Sequence, residues 1–148
     1  MLSLNDFKIS KEQLIVNNVE VLLPCHLIYD SRKINSGKKS LFVAIKTNNR
    51  DGNQFVQDAY QKGCRNFIVN VGENIPQEAN AIICEDSLQF LQEQAAFRRQ
   101  DLAMPLLAIT GSRGKTIVKE WLVQLLCVSR QITYNKGSNN SQLGVALS

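Results

Sequence analysis

The stretch Pro105 to Leu126, PLLAITGSRGKTIVKEWLVQLL, constrains this chain more than any other. A short apolar run leads into a glycine loop ending Gly114-Lys115-Thr116, and an amphipathic run follows. Strand, loop and helix in that order are what a phosphate cradle requires. The strand aims the loop, and the glycines let backbone N–H groups approach an anion. The lysine adds charge, and the hydroxyl can hold Mg²⁺. The general loop pattern, GxxxxGK followed by Ser or Thr, fails here because Ile109 stands at its first glycine. What remains is Thr110-Gly111-Ser112-Arg113-Gly114-Lys115-Thr116. Such a string also arises by chance, and its strand-to-helix setting is what strengthens it. The competing interpretation is a plain glycine turn with Lys115 in solvent. The chain ends at Ser148, which is short for a whole nucleotide-hydrolysing domain, so a partial second domain is expected.

Composition narrows the class. With 44% hydrophobic and 20% charged residues in 148, the sequence predicts an ordinary globular protein. It lacks an apolar run long enough for a membrane span. The N-terminus, MLSLNDFKISKEQ, lacks the charged and apolar regions of a signal peptide, so a cytoplasmic location is expected. The cysteines are Cys25, Cys64, Cys84 and Cys127, with no CxxC pair, and His26 is the single histidine. Zinc is therefore not expected, and the thiols are read as reduced and mostly buried. Cys25 and His26 are adjacent, which in a strand points them to opposite faces and argues against a nucleophile pair.

The net charge of +4 is modest, but its distribution is uneven. Between Ser31 and Arg50 stand Arg32, Lys33, Lys38, Lys39, Lys46 and Arg50, with no acid among them. The stretch reads as a solvated basic face or as a site for an anionic ligand. A base-stacking surface would interleave aromatics, which are missing, so nucleic acid is not the expected partner.

Strand patterns fall at Val19–Leu23, Leu27–Asp30, Ser40–Ile45, Asn66–Val71 and Asn80–Cys84. A helix is predicted over Asn53–Lys62, with Phe55, Val56, Ala59 and Tyr60 on one side and Gly63 closing it. A second is predicted from a cap at Asp86 or Ser87 to about Gln100. After a polar boundary come a strand at Leu106–Ile109, a helix from Lys115 and a short strand at Gln131–Tyr134. Ile117, Val118, Trp121, Leu122, Leu125 and Leu126 read as the buried stripe of that helix. Alternating strands and helices imply an α/β fold with mostly parallel sheets. Residues 1–102 read as one complete domain and 103–148 as the opening β-α-β of a second. A lone β-α-β cannot bury both faces, so packing on the first domain, self-association or mobility is expected of it.

TGSRGKT, then IVKEW and NNSQLGVALS, resemble the start of the Mur ligase ATPase domain. The earlier region agrees independently. Asp30-Ser31-Arg32-Lys33, Gly37, Leu41-Phe42-Val43-Ala44 and Asp51-Gly52-Asn53-Gln54-Phe55 are similar to the family's DSR…G…LFVA…DGHxF pattern, which Ala59 and Gly63 continue. Val118-Lys119-Glu120 and the Asn-Asn of NNSQLGV resemble the branch that joins D-alanyl-D-alanine to UDP-N-acetylmuramoyl-tripeptide. KTxxxDG, RNFIV and GKTIVKEW look most like the ligase half of fused ligase–alanine racemase proteins.

The resemblance implies a peptidoglycan-precursor ligase using ATP and Mg²⁺. ATP phosphorylates the stem carboxylate, and the incoming amine attacks the acyl phosphate. It implies that Gly111, Ser112, Arg113, Gly114, Lys115, Thr116 and Ile117 wrap the ATP phosphates. Lys115 would meet the β- and γ-phosphates, and Thr116 would hold Mg²⁺. Ser31 and Arg32, with Asn48, Asn49 and Arg50, are the implied contacts to the UDP portion. Asn139, Asn140 and Ser141 lie where the family approaches the junction of ATP and substrate. Three positions depart from the pattern. Arg113 replaces Asn or Ser, Asn53 replaces the His of DGH, and Ala146 replaces the Pro of GVP. The family's Mg²⁺-binding acid, modified lysine and C-terminal domain would fall beyond Ser148, so this chain alone is expected to be catalytically silent. The alternatives are a non-catalytic UDP-sugar or nucleotide-binding module and a different phosphate-loop enzyme such as a small kinase. The position of the loop, after about a hundred residues, disfavours the kinase.

Overall fold

The computed structural model describes residues 7–10, 13–17, 26–100 and 102–135. Seven strands fall among them: β1 (Leu14–Ile15), β2 (His26–Ile28), β3 (Ser40–Val43), β4 (Lys46–Thr47), β5 (Arg50–Asp51), β6 (Asn66–Asn70) and β7 (Asn80–Cys84). Three helices accompany them: α1 (Val56–Gln61), α2 (Ser87–Gln100) and α3 (Lys115–Leu126). The main sheet has the order β1-β7-β6-β3-β2. β2, β3, β6 and β7 pair in parallel, and β1 closes one edge antiparallel to β7. The expected α/β fold with a mostly parallel sheet is what forms.

The central strands are apolar at consecutive positions because both faces are covered. On one face Leu41, Val43, Ile68, Ile82 and Cys84 pack with Phe90 and Leu91 of α2, and with Phe7. On the other, Phe42, Ala44, Phe67, Val69 and Ala81 pack with Val56 and Ala59 of α1. Each run therefore sends alternate residues to opposite helices, making three layers. Asp86 Oδ1 accepts the N–H groups of Leu88 and Gln89 at 2.8 and 3.0 Å, which starts α2 where a cap was expected. Ser87, the other candidate, is wholly buried, and its hydroxyl donates to the Ala44 carbonyl at 2.6 Å. Gly63, at φ +87, ends α1 in the left-handed conformation that favours glycine.

Several expectations shift. The helix predicted over Asn53–Lys62 begins as a 3-10 turn at Gly52–Phe55 and becomes α-helical only at Val56. The chain after β3 folds back as the β4–β5 hairpin, which the sequence pattern did not show. The strand expected at Val19–Leu23 lies outside the described residues. Leu106–Ile109 and Gln131–Tyr134 pair with no strand among the described residues, so neither is a strand. An apolar run becomes a strand only where a neighbour takes its backbone groups. α3 does start at Lys115, but its stripe is not buried: Ile117, Val118, Trp121, Leu125 and Leu126 are exposed, and Leu122 is half-buried. No described helix is long and apolar enough to cross a membrane.

Candidate functional site

The loops that follow β2 and β3 meet at the carboxyl ends of these neighbouring parallel strands, where open α/β sheets bind ligands. A cavity of about 280 Å³ lies there, lined by Asp30, Ser31, Arg32, Arg50 and Phe55. Asp30 follows β2 and caps a 3-10 turn, Ser31–Lys33, by accepting the Arg32 N–H at 3.1 Å. The same carboxylate takes the Arg32 guanidinium in a fork, with Nε at 2.9 Å and Nη2 at 2.8 Å. Arg32 holds the Asp30 carboxyl well below the usual carboxylate range, and Arg50 adds to that field. Asp30 in turn raises Arg32, so this pair stays ionised.

Ser31 is buried, and its surroundings explain why. Its carbonyl accepts from Lys62 Nζ at 3.2 Å, and Lys62 is paired with Asp58 of α1 at 2.8 Å. Lys62, then the Ser31 hydroxyl, lower Asp58 below its ordinary value. Ser31 therefore ties the turn to α1 as well as lining the cavity. Arg50 comes from β5, with its guanidinium 5.2 Å from the centre of the Phe55 ring. That distance is within the range of a cation–π contact.

The hairpin carrying Arg50 is itself pinned. Gly52 N–H donates to the Ile45 carbonyl at 2.8 Å. Asp51 accepts from the backbone N–H of Asn53 at 2.9 Å and from its Nδ2 at 2.8 Å, and Lys46 lies 3.4 Å from Asp51. Asn53 Nδ2 also reaches Asn70 Oδ1 at the end of β6, at 3.2 Å. Asn53 is thus a buried tie between the hairpin loop and the sheet, which answers the question its replacement of His raised.

Of the five residues implied for the UDP portion, the structure brings Ser31, Arg32 and Arg50 to one cavity. Asn48 and Asn49 form the exposed turn of the β4–β5 hairpin and do not line it. Asp30 and Phe55 line the cavity although neither was among the implied contacts to the UDP portion. Asp30 stands one residue outside the acid-free stretch, and Phe55 had been assigned to a helix face. The stretch is also less bare than it looked, because flanking acids engage Arg32 and Lys46.

At the second candidate site, Gly111 and Gly114 have φ +148 and +77, conformations that favour glycine. The Lys115 ammonium folds back onto the Gly111 carbonyl in an exposed hydrogen bond. Ser112, Arg113, Thr116 and Ile117 are exposed around the first turn of α3. Lys119 Nζ donates to the Asn135 carbonyl at 2.6 Å and pairs with Glu120 at 2.9 Å, fastening the segment after α3 to that helix. Asn139, Asn140, Ser141 and Ala146 lie outside the described residues. The described residues contain no cluster of three or more His, Cys, Asp or Glu able to hold a metal.

Among known proteins, no family model matches the chain. It is 34% identical over 119 residues to the UDP-N-acetylmuramoyl-tripeptide–D-alanyl-D-alanine ligase of Rickettsia prowazekii, covering 80% of this chain and 26% of that protein. It is 32% identical over 120 residues to the ligase of the same name from Escherichia coli, covering 80% and 25%. Among solved structures, MurF from Acinetobacter baumannii superposes with a TM-score of 0.71 at 31% identity, over 82% of this chain and 26% of that one. MurF ligase from Thermotoga maritima in complex with ADP gives 0.69 at 26% identity, over 84% and 28%. The chain is homologous to these ligases and spans about a quarter of their length.

Proposed function

We propose, from this homology to MurF ligases, that the chain supplies the precursor-binding domain and phosphate loop of an ATP-dependent ligase. That ligase joins D-alanyl-D-alanine to UDP-N-acetylmuramoyl-tripeptide. One observation supports this most: two arginines separated by eighteen positions in sequence converge on one cavity at the carboxyl ends of β2 and β3. Two guanidiniums beside a single carboxylate leave the cavity net positive, suited to a pyrophosphate. The domain boundary is drawn near residue 102, because α3 buries none of its side chains.

In the reaction the stem carboxylate attacks the γ-phosphorus of ATP, ADP leaves, and the amine of D-alanyl-D-alanine displaces phosphate from the acyl phosphate. This chemistry rests on positioning and charge neutralisation. Arg32 and Arg50 would hold the UDP end and so fix the reach of the peptide stem. The N–H groups of Gly111 to Ile117 would surround the ATP phosphates, and Lys115 would leave the Gly111 carbonyl for the β- and γ-oxygens. Bound Mg²⁺ would neutralise charge developing on the phosphates. The exposed Thr116 hydroxyl at the start of α3 fits one position in its shell. Such a ligase works in the cytoplasm, where its nucleotide-linked substrate is made. The likeness to ligase–racemase fusions extends the proposal to a racemase region in the same reading frame, which gene sequence past residue 148 reads directly.

On its own the chain, which spans about a quarter of the length of the ligases it resembles, should bind without turnover. Calorimetric titration with UDP-N-acetylmuramoyl-tripeptide and then Mg·ATP tests the assignment. Binding of the UDP ligand that Arg32→Gln and Arg50→Gln each weaken is expected. Binding by both variants as tight as the parent's would refute it. Precursor-dependent phosphate release above a Lys115→Ala control would refute the silence of the isolated chain.

A further inference from the structure

We propose that Asp30 is a positioning residue, which holds Arg32 by one edge so that its other edge is presented to a nucleoside diphosphate. The proposal rests on the cavity being the UDP receptor. A guanidinium has five N–H donors in a fixed plane. Asp30 takes Nε–H and one Nη2–H, at 2.9 and 2.8 Å. Three donors remain, both on Nη1 and one on Nη2, and they form the end-on fork that meets phosphate oxygens in pairs.

The environments of the two residues show why such a lock is needed. The Arg32 side chain is 78% exposed while that of Asp30 is 10% exposed. An arginine so exposed has no packing to fix it and would lose its rotamer freedom on binding an anion. Asp30 fixes it beforehand from a rigid base: its own backbone leaves β2, and its Oδ1 also caps the Ser31–Lys33 turn. Capping alone does not call for a carboxylate, since Asn or Ser caps equally well. Arg50 is steadied separately, by the Phe55 ring. Both cations of the cavity thus have a partner of their own.

A carboxylate also repels an anionic ligand, so ordering and repulsion act with opposite signs on affinity. Asp30→Asn shows which of the two prevails, because asparagine keeps the cap and removes both the charge and the charged fork. The chain, Asp30→Asn, Arg32→Gln, the double variant and Arg32→Lys are titrated with UDP. Asp30→Asn should weaken UDP binding about tenfold and leave the thermal midpoint near that of the parent. In the Arg32→Gln background the same change should not weaken binding, since there is no guanidinium left to position and only the repulsion is removed. Arg32→Lys keeps the charge but cannot take the two-point grip, and should fall with Asp30→Asn. As a mostly exposed substitution, it reports on the proposal even where Asp30→Asn disturbs folding. Unchanged or tighter UDP binding by Asp30→Asn, an equal loss in both backgrounds, or parent-like affinity in Arg32→Lys would overturn the proposal. A midpoint that moves while affinity does not would mean a cap only. Unchanged affinity in Arg32→Gln would instead remove the UDP assignment of the cavity, and the lock with it.

Discussion

Gly52→Ala should destabilise the domain and weaken the anion site together. An added Cβ at Gly52 would lie 2.5 Å from Ile45 N, 2.7 Å from Ile45 O and 2.9 Å from the Ala44 carbonyl carbon. All three are backbone atoms of the segment leaving β3, so no side-chain rotation relieves the clash. Overpacking of this kind costs about 1–3 kcal/mol. Pushing the segments apart also strains the Gly52 N–H bond to Ile45 O, adding about 0.5–1.5 kcal/mol. The stiffer unfolded chain returns about 0.4–1 kcal/mol. The net loss is about 0.5–4 kcal/mol, centred near 2.3. At about 4–8 °C per kcal/mol for a domain of about a hundred residues, the thermal midpoint should fall roughly 9–18 °C. Because Arg50 and Asp51 immediately precede Gly52, the hairpin shifts with it and UDP affinity should drop in the same variant. Calorimetric melting and a UDP titration measure both. A variant that melts with the parent and binds UDP as tightly would refute the close approach of Gly52 to the Ala44–Ile45 backbone.

Other outcomes follow from the same geometry. Ser87→Ala removes the buried donor to the Ala44 carbonyl and should cost about 1–3 kcal/mol in urea unfolding, with UDP affinity little changed. Asp30, Asp51 and Asp58 are all lowered from 3.8, held chiefly by Arg32, the Asn53 N–H and Lys62 respectively. A folded value below the unfolded one means that acid protonates the unfolded chain first. Their stabilisation is therefore full above about pH 4 and fades as pH falls further, and Asp51→Asn should flatten that decline in urea midpoints. Burial pushes the Cys84 thiol up to about 11, and Cys64 is buried while Cys127 is exposed. Peptide mapping after brief iodoacetamide treatment should find Cys127 modified and Cys64 and Cys84 protected until denaturant is added; early labelling of Cys84 would count against the packing of β7.

The long buried strands were legible because a run such as Leu41-Phe42-Val43-Ala44 leaves no position for solvent. β1, β4 and β5 were not, since two residues carry no period to read. Charge counting found Arg32 and Arg50 but placed Asp30 outside the window. The resemblance implied both arginines for the UDP portion, but the residue pattern did not show how they meet, because the β4–β5 hairpin that returns Arg50 to the Ser31 turn left no pattern of its own. The expectation of mostly buried thiols holds for Cys64 and Cys84 and fails for Cys127; Cys25 lies outside the described residues. For α3 the spacing of Ile117, Val118, Trp121 and Leu125 correctly marked a helix. The same spacing cannot say what covers the stripe, and in this structure those side chains face outward.

The joined loops after β2 and β3 are the proposed receptor for the UDP end of the precursor. Amide hydrogen exchange with and without UDP-N-acetylmuramoyl-tripeptide tests it most directly. Slowed exchange confined to the Asp30–Lys33 turn and the Arg50–Phe55 segment, absent in Arg32→Gln, is the predicted result. Protection that falls elsewhere, or that persists in Arg32→Gln, would contradict it.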